Sequence, residues 1–221
     1  MCWNAQVSLA TFVSSVLICM FLWHRNYDID HAISIFIFWF SLMQLFEFFM
    51  WRNMKDHSFI SKLSFVSILL QPFVLITSLY YFSRGYTKPS LLYTYNEKLV
   101  IFGVAALSLI KSLAGAVYAF FIDTKNKWLS VKGPHCHLMW WFIQHRDSIP
   151  TIARADYVYF LLLFIACAMI RPYYQGLFYL LIAIITCGLT YLFYPNETGS
   201  IWCWVVNLMG IFAIAMPYVK I

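Results

Sequence analysis

The sequence predicts an all-α, polytopic transmembrane helix bundle, on three observations: an apolar content of 62%, a charged content of only 11%, and a succession of apolar runs about as long as a bilayer is thick. An ordinary soluble domain carries roughly 45 to 50% apolar and about 25% charged residues, so the bulk composition excludes one. The runs cover residues 5–23, 31–51, 61–82, 99–122, 155–171, 174–193 and 201–219. At 1.5 Å per residue, each is about long enough for a hydrocarbon core of roughly 30 Å. Seven spans are therefore expected, filling residues 1–221 as one transmembrane domain.

Each run has its own punctuation. The first follows Met1-Cys2-Trp3-Asn4, with no basic stretch ahead of it and no small-residue cleavage site behind it, and is expected to be a retained span. Trp23, Trp51-Arg52, Tyr80-Tyr81, Arg171 to Tyr174 and Trp202-Trp204 mark run ends, where amphipathic rings and cations anchor helices at headgroup level. Gln71-Pro72 interrupts the third run, and the proline removes a helix hydrogen bond, so a kink is expected. Only the turn around Arg171-Pro172 separates the fifth and sixth runs, which could also form one interrupted hairpin. The longest connection, 123–154, holds Trp128, Trp140, Trp141, Phe142 and Ile143. Its segment 137–146 is expected to lie at the interface as a short helix or to dip back into the bundle.

The net charge of +6 comes from 15 Lys and Arg against 9 Asp and Glu, scattered over short loops. That pattern fits membrane anchoring and excludes nucleic acid as a partner, which would need a clustered basic face. An odd span count groups the N-terminus with the loops after spans two, four and six, here termed the first face. This face carries eight basic residues (Arg52, Lys55, Lys62, Lys125, Lys127, Lys132, Arg146, Arg154) against six on the other, which favours a cytosolic N-terminus. The sequon Asn196-Glu197-Thr198 lies on the same face and could be glycosylated only if that face were lumenal.

Chemistry is expected where polar groups interrupt the runs. Lys111 falls mid-span, where a charge costs about 2.5 to 3.5 kcal/mol, and Ser108, Ser112 and Gly115 share its helix side. Glu47, on a stripe with Gln44 and Trp51, is its expected partner. With Gln71 and Asn207 these residues form a candidate intramembrane polar site for a small solute or ion; a structural ion pair is the plainer alternative. His135-Cys136-His137, with His145, His57, Cys2, Cys203 and Asp156 on the same face, could bind zinc or copper, although the spacing is that of no defined motif. Of the 6 cysteines, Cys19, Cys167 and Cys187 lie inside runs as small apolar residues, and a Cys2–Cys203 bridge is conceivable only on a lumenal face. Three functions follow: permeation, a non-catalytic scaffold or receptor-like bundle, and a membrane-embedded metalloenzyme resting on His135 and His137.

Met1-Cys2-Trp3, Leu70-Gln71-Pro72 and Gly199-Ser200-Ile201-Trp202-Cys203-Trp204 resemble motifs of an uncharacterised family of small multi-pass membrane proteins from large DNA viruses and microbial eukaryotes. The resemblance implies a seven-span bundle and carries no activity or site residue with it. Alkaline-ceramidase-like hydrolases place paired histidines in the last span, and 201–221 contains none. Carriers with a Pro-Gln loop have the reverse order of Gln71-Pro72.

Overall fold

The computed structural model describes residues 4–27, 29–84 and 92–215, with the side chains of 204–207 outside the description. Its helices are α1 (Ala5–Arg25), α2 (Asp30–Arg52), α3 (Ser58–Ser83), α4 (Tyr95–Val117), α5 (Trp141–Gln144), α6 (Tyr157–Ala168), α7 (Tyr173–Phe193) and α8 (Thr198–Ala215). A π-helical turn, Tyr118–Ile122, continues α4. Between α4 and α5, β1 (Val131–Lys132) and β2 (Leu138–Met139) form a short antiparallel hairpin pairing Val131 with Met139 and Lys132 with Leu138.

Six helices are long and apolar enough to cross a membrane: α1, α2, α3, α4 with its π turn, α7 and α8. Their outward residues, such as Leu107, Leu113 and Phe121 on α4 and Leu181, Ile185 and Leu189 on α7, are exposed and apolar, as lipid contact requires. The expected fifth span is different. Its helix, α6, has 12 residues, about 18 Å at 1.5 Å per residue, and cannot cross the core alone.

Local chemistry explains the ends. Asn4 caps α1 by accepting from Val7 N, and Asn26 closes the helix in the left-handed conformation that asparagine tolerates. Thr94 and Glu97 form a reciprocal capping box on α4. Arg25 pairs with Asp30 at 2.7 Å and donates to the carbonyls of Ala213 and Ile214, so one guanidinium ties α1, α2 and the C-terminal end of α8. On the same side, Glu97 receives Arg171 and Tyr173, which fastens the start of α7 to that of α4. The helix α3 runs unbroken through Pro72.

The core lies where α2 and α3 meet α1, α6 and α8, with Phe40, Met43, Phe65, Leu75 and Ile76 fully enclosed. The Trp-rich connection is packed into this core and is no surface helix. Trp128 is fully buried and stacks on Trp141, with ring centroids 4.4 Å apart. Its indole donates to Asp123, and its backbone N–H donates to Ser58 Oγ. The expected interfacial helix is reduced to the single turn of α5, because its aromatic rings are inside.

Candidate functional site

The residues expected to form one polar site are divided among three places. Lys111 does not meet Glu47. Its ammonium lies 3.2 Å from Asp156 and donates to the carbonyls of Thr151, at 3.0 Å, and Ile152. Lys111 stands eleven residues before Ile122, about 16 Å inside the α4 rod, so 151–156 reaches the middle of the bundle. Gly115 makes the approach feasible: a Cβ there would run into Leu69 and press on the Ala153 carbonyl. Irregular backbone at this depth needs its polar groups satisfied, and Lys111 satisfies two carbonyls while neutralising Asp156. Asp156 in turn caps α6 by accepting from Val158 N and sits 3.6 Å from Arg154. The seventh hydrophobic passage is thus a re-entrant coil followed by a half-length helix. The expected Lys111–Glu47 pair fails because the connection brings a nearer carboxylate to the lysine.

Gln71, on α3, accepts from the Tyr159 hydroxyl of α6, while its Nε2 has no partner. Both residues are buried. The side chain of Asn207 lies outside the described residues.

Glu47 lies apart from Lys111 in an enclosed cluster of polar side chains, here termed the chamber. It lies five residues before the end of α2, about 8 Å from the first face, and is 0% exposed. Trp140, at the end of the hairpin, donates its indole N–H to Glu47 Oε1 at 3.0 Å and covers it from that face. Gln44 on α2, Ser8 on α1 and Ser200 at the start of α8 stand beside the carboxylate, near enough to influence its charge. Glu47 Oε2, both amide atoms of Gln44 and Ser8 Oγ are nevertheless buried and complete no well-aligned hydrogen bond among the described residues. Cys203, one turn along α8 from Ser200, is within electrostatic range of both Glu47 and Tyr159 and links the chamber to the Gln71 level.

The hairpin over the chamber is held by a second buried carboxylate, Glu197. Its Oε1 accepts from His135 N at 3.0 Å and lies 3.6 Å from His135 Nδ1. Gly133 packs so closely on Glu197 that a Cβ would collide with it. His135 and His137 both meet the Tyr194 ring edge-on. Burial, assisted by His135 and opposed by Glu197, holds His137 below its ordinary value of 6.5.

The zinc or copper expectation needs a third ligand beside His135 and His137. Among the described residues no three His, Cys, Asp or Glu side chains converge as a metal site. His57 is fully engaged: Nε2 accepts from Ser130 N at 2.8 Å and Nδ1 meets the Asn53 carbonyl at 2.9 Å, which places its proton on Nδ1. His145 stacks on Trp141 and turns Nδ1 to that residue's carbonyl. Cys136 is disulfide-bonded, whereas Cys203 is a buried thiol outside any disulfide, so the expected Cys2–Cys203 bridge does not form; Cys2 itself lies outside the described residues. Asn196 is exposed, while the sequon's Thr198 is buried and spends its hydroxyl on the carbonyls of Tyr194 and Pro195.

Sequence reasoning missed Trp140, Ser8, Ser200 and Glu197 as parts of one assembly. The serines stand a turn or less inside their helix ends, a weak signal, and nothing in the spacing of Trp140 announces its partner 93 residues away.

The six long apolar helices define an α-helical, multi-pass membrane protein. Neither family models, curated proteins nor solved structures match the chain.

Proposed function

We propose that this membrane protein admits a small polar solute or ion from the first face into the bundle interior, through the track that starts at Glu47 and Gln44 and continues to Gln71. The observation that carries this reading is the set of buried polar atoms along that track that complete no well-aligned hydrogen bond among the described residues: Ser8 Oγ, Glu47 Oε2, the Gln44 amide and Gln71 Nε2. A bundle built only for stability has no use for them, because each costs about 1 to 3 kcal/mol when left unpaired. A passing or resident guest completes their hydrogen bonds. Trp140 and the Glu197-anchored hairpin then act as the cover on the entry side. The disulfide at Cys136 supports an oxidising compartment on that side, against the cytosolic assignment that the basic-residue count favours.

The test is flux into sealed liposomes containing the full chain and dyes for protons, sodium and potassium, compared with Gln44→Leu/Glu47→Gln. Flux of at least one probe above protein-free liposomes, lost in the double variant, supports the reading. Equal leakage from wild type and variant rejects it.

A further inference from the structure

We propose that Cys136 and Cys2 form a reversible disulfide that latches the hairpin to the start of α1, and that a dithiol reductant unlatches it. The proposal rests on the permeation reading above, in which the hairpin and Trp140 cover the entry side, and names the chemistry that controls that cover.

The pairing follows first from the cysteine count. The chain has 6 cysteines. Cys136 is disulfide-bonded, while Cys19, Cys167, Cys187 and Cys203 are thiols outside any disulfide, which leaves Cys2. Cys2 lies outside the described residues, but the helix that follows it sets its reach. Side by side, α1 and α8 run in the same direction: Arg25, at the end of α1, donates to the carbonyls of Ala213 and Ile214, and Ile18 packs on Gly210. Twelve residues separate Thr198 from Gly210 and Gln6 from Ile18, so at equal rise the first turn of α1 stands level with the start of α8. Glu197, which accepts from His135 N, is at that level, one residue before α8. Cys2 is three residues ahead of α1, a reach of up to about 10 Å, and Cys136 is the neighbour of His135. Both cysteines therefore belong to one corner of the first face.

A bond there adds α1 to the helices that already hold the hairpin. Glu197 and Gly199 hold it from the start of α8, with Gly199 so close under the Trp140 ring that a Cβ would collide with it. The Trp140–Glu47 hydrogen bond ties it to α2. Cys136 itself has φ 65°, in the left-handed region that side chains other than glycine rarely adopt, and its N–H donates to the Gly133 carbonyl at 3.1 Å. Such a conformation persists where the surroundings impose it. The residue is only half-buried, next to the exposed Pro134 and His135, so a small thiol can reach it.

Unlatching is a two-electron exchange. One thiolate of the reductant attacks a sulfur of the pair, the Cys2–Cys136 bond breaks and a mixed disulfide forms; the reductant's second thiol then displaces the protein sulfur. Two cysteine thiols remain on the protein, which has gained two electrons and two protons, and the reductant leaves as its own disulfide. Freed at Cys136, the hairpin passes its slack through β2 to Trp140, four residues on, and the hydrogen bond to Glu47 opens more often.

The experiment maps the disulfide of the purified full chain by mass spectrometry without reduction, and follows trypsin cleavage after the exposed Lys132 in nanodiscs, with and without dithiothreitol. The expected result is a Cys2 peptide joined to a Cys136 peptide, and cleavage about tenfold faster after reduction, because proteolysis follows the population of the opened state. Reoxidation should restore the slow rate, and Cys2→Ser should cleave at the fast rate whether or not the reductant is present. A Cys136 bond to a second copy, or no bond at Cys136, overturns the pairing. Cleavage unchanged by reduction, or a slow rate retained in Cys2→Ser, overturns the latch. Should Cys2→Ser fail to fold, reduced wild type alkylated with iodoacetamide takes its place and must stay fast after an oxidant is added. A working latch without liposome flux keeps this proposal and rejects permeation; flux lost in Gln44→Leu/Glu47→Gln, with one cleavage rate in both redox states, does the reverse.

Discussion

Two buried charges, Lys111 and Glu47, sit in the same bundle and are treated in opposite ways. Lys111 is 7% exposed and fully used, with Asp156 as counter-charge and two backbone carbonyls completing its shell. Glu47 is more deeply buried, pairs with no cation among the described residues, and takes its one well-aligned hydrogen bond there from the neutral indole of Trp140. A satisfied buried charge explains itself through the structure it holds, here the descent of 151–156 into the bundle. The unsatisfied one is what motivates the guest proposed above. The contrast also shows why an intramembrane charge is ambiguous in a sequence: both residues look alike until their neighbours are known.

The comparison can be broken most forcefully at Lys111. Lys111→Met strands Asp156 and two carbonyls, and should lower unfolding stability in detergent by about 3 to 5 kcal/mol. Gly115→Ala attacks the same region sterically, because its Cβ meets Leu69 and the Ala153 carbonyl, and should cost about 1 to 3 kcal/mol in the same assay. On the chamber side, Trp140→Phe removes the indole donor to Glu47, and a loss of about 1 to 2 kcal/mol is expected, with faster proteolysis of the hairpin. Glu47→Gln should change stability by less than about 1 kcal/mol, since among the described residues it strands no counter-charge and the new amide oxygen can still accept from Trp140. A cost for Glu47→Gln as large as that for Lys111→Met would erase the distinction. The smallest effect is that of pH. His137 is held below 6.5 when folded, so the unfolded chain takes up the proton first and stability falls as pH drops below that value. Substituting His137→Asn should flatten the part of the pH profile between 6.5 and the lower folded value.

Much of the fold was legible in the residues, because runs of apolar side chains obey bilayer thickness irrespective of tertiary detail. The first long apolar helix and the inward-facing stripe of Ser108, Lys111, Ser112 and Gly115 both appear in the structure. The fifth span was over-read. Residues 155–171 are apolar enough for a helix, but the sequence does not show that Asp156 caps the helix while pairing with Lys111 at one end, nor that the helix stops at Ala168, ahead of the Arg171-Pro172 turn, at the other. Of the site, Glu47 and Gln44 were legible as polar residues one turn apart on an apolar helix. Trp140 was legible only as a residue too aromatic for a free loop, since contacts across 93 residues leave no periodic trace. The metal reading failed for a related reason. His57, His145 and the His135–His137 pair share a face, yet local hydrogen bonds and rings hold each in a different place.

The half-length α6 has a consequence for how the chain is made. A segment of 12 residues is almost wholly apolar yet too short to be retained as an independent membrane passage during synthesis, and the coil before it exposes carbonyls and charges that lipid would not accept. Its place is prepared only when α3 presents Gln71 and α4 presents Lys111 and Gly115. Insertion of this passage is therefore a late assembly step that depends on earlier helices. A nascent chain carrying Lys111→Met should be left with residues 123–168 outside the bilayer, and α7 and α8 would be committed to the membrane before the bundle between them had closed.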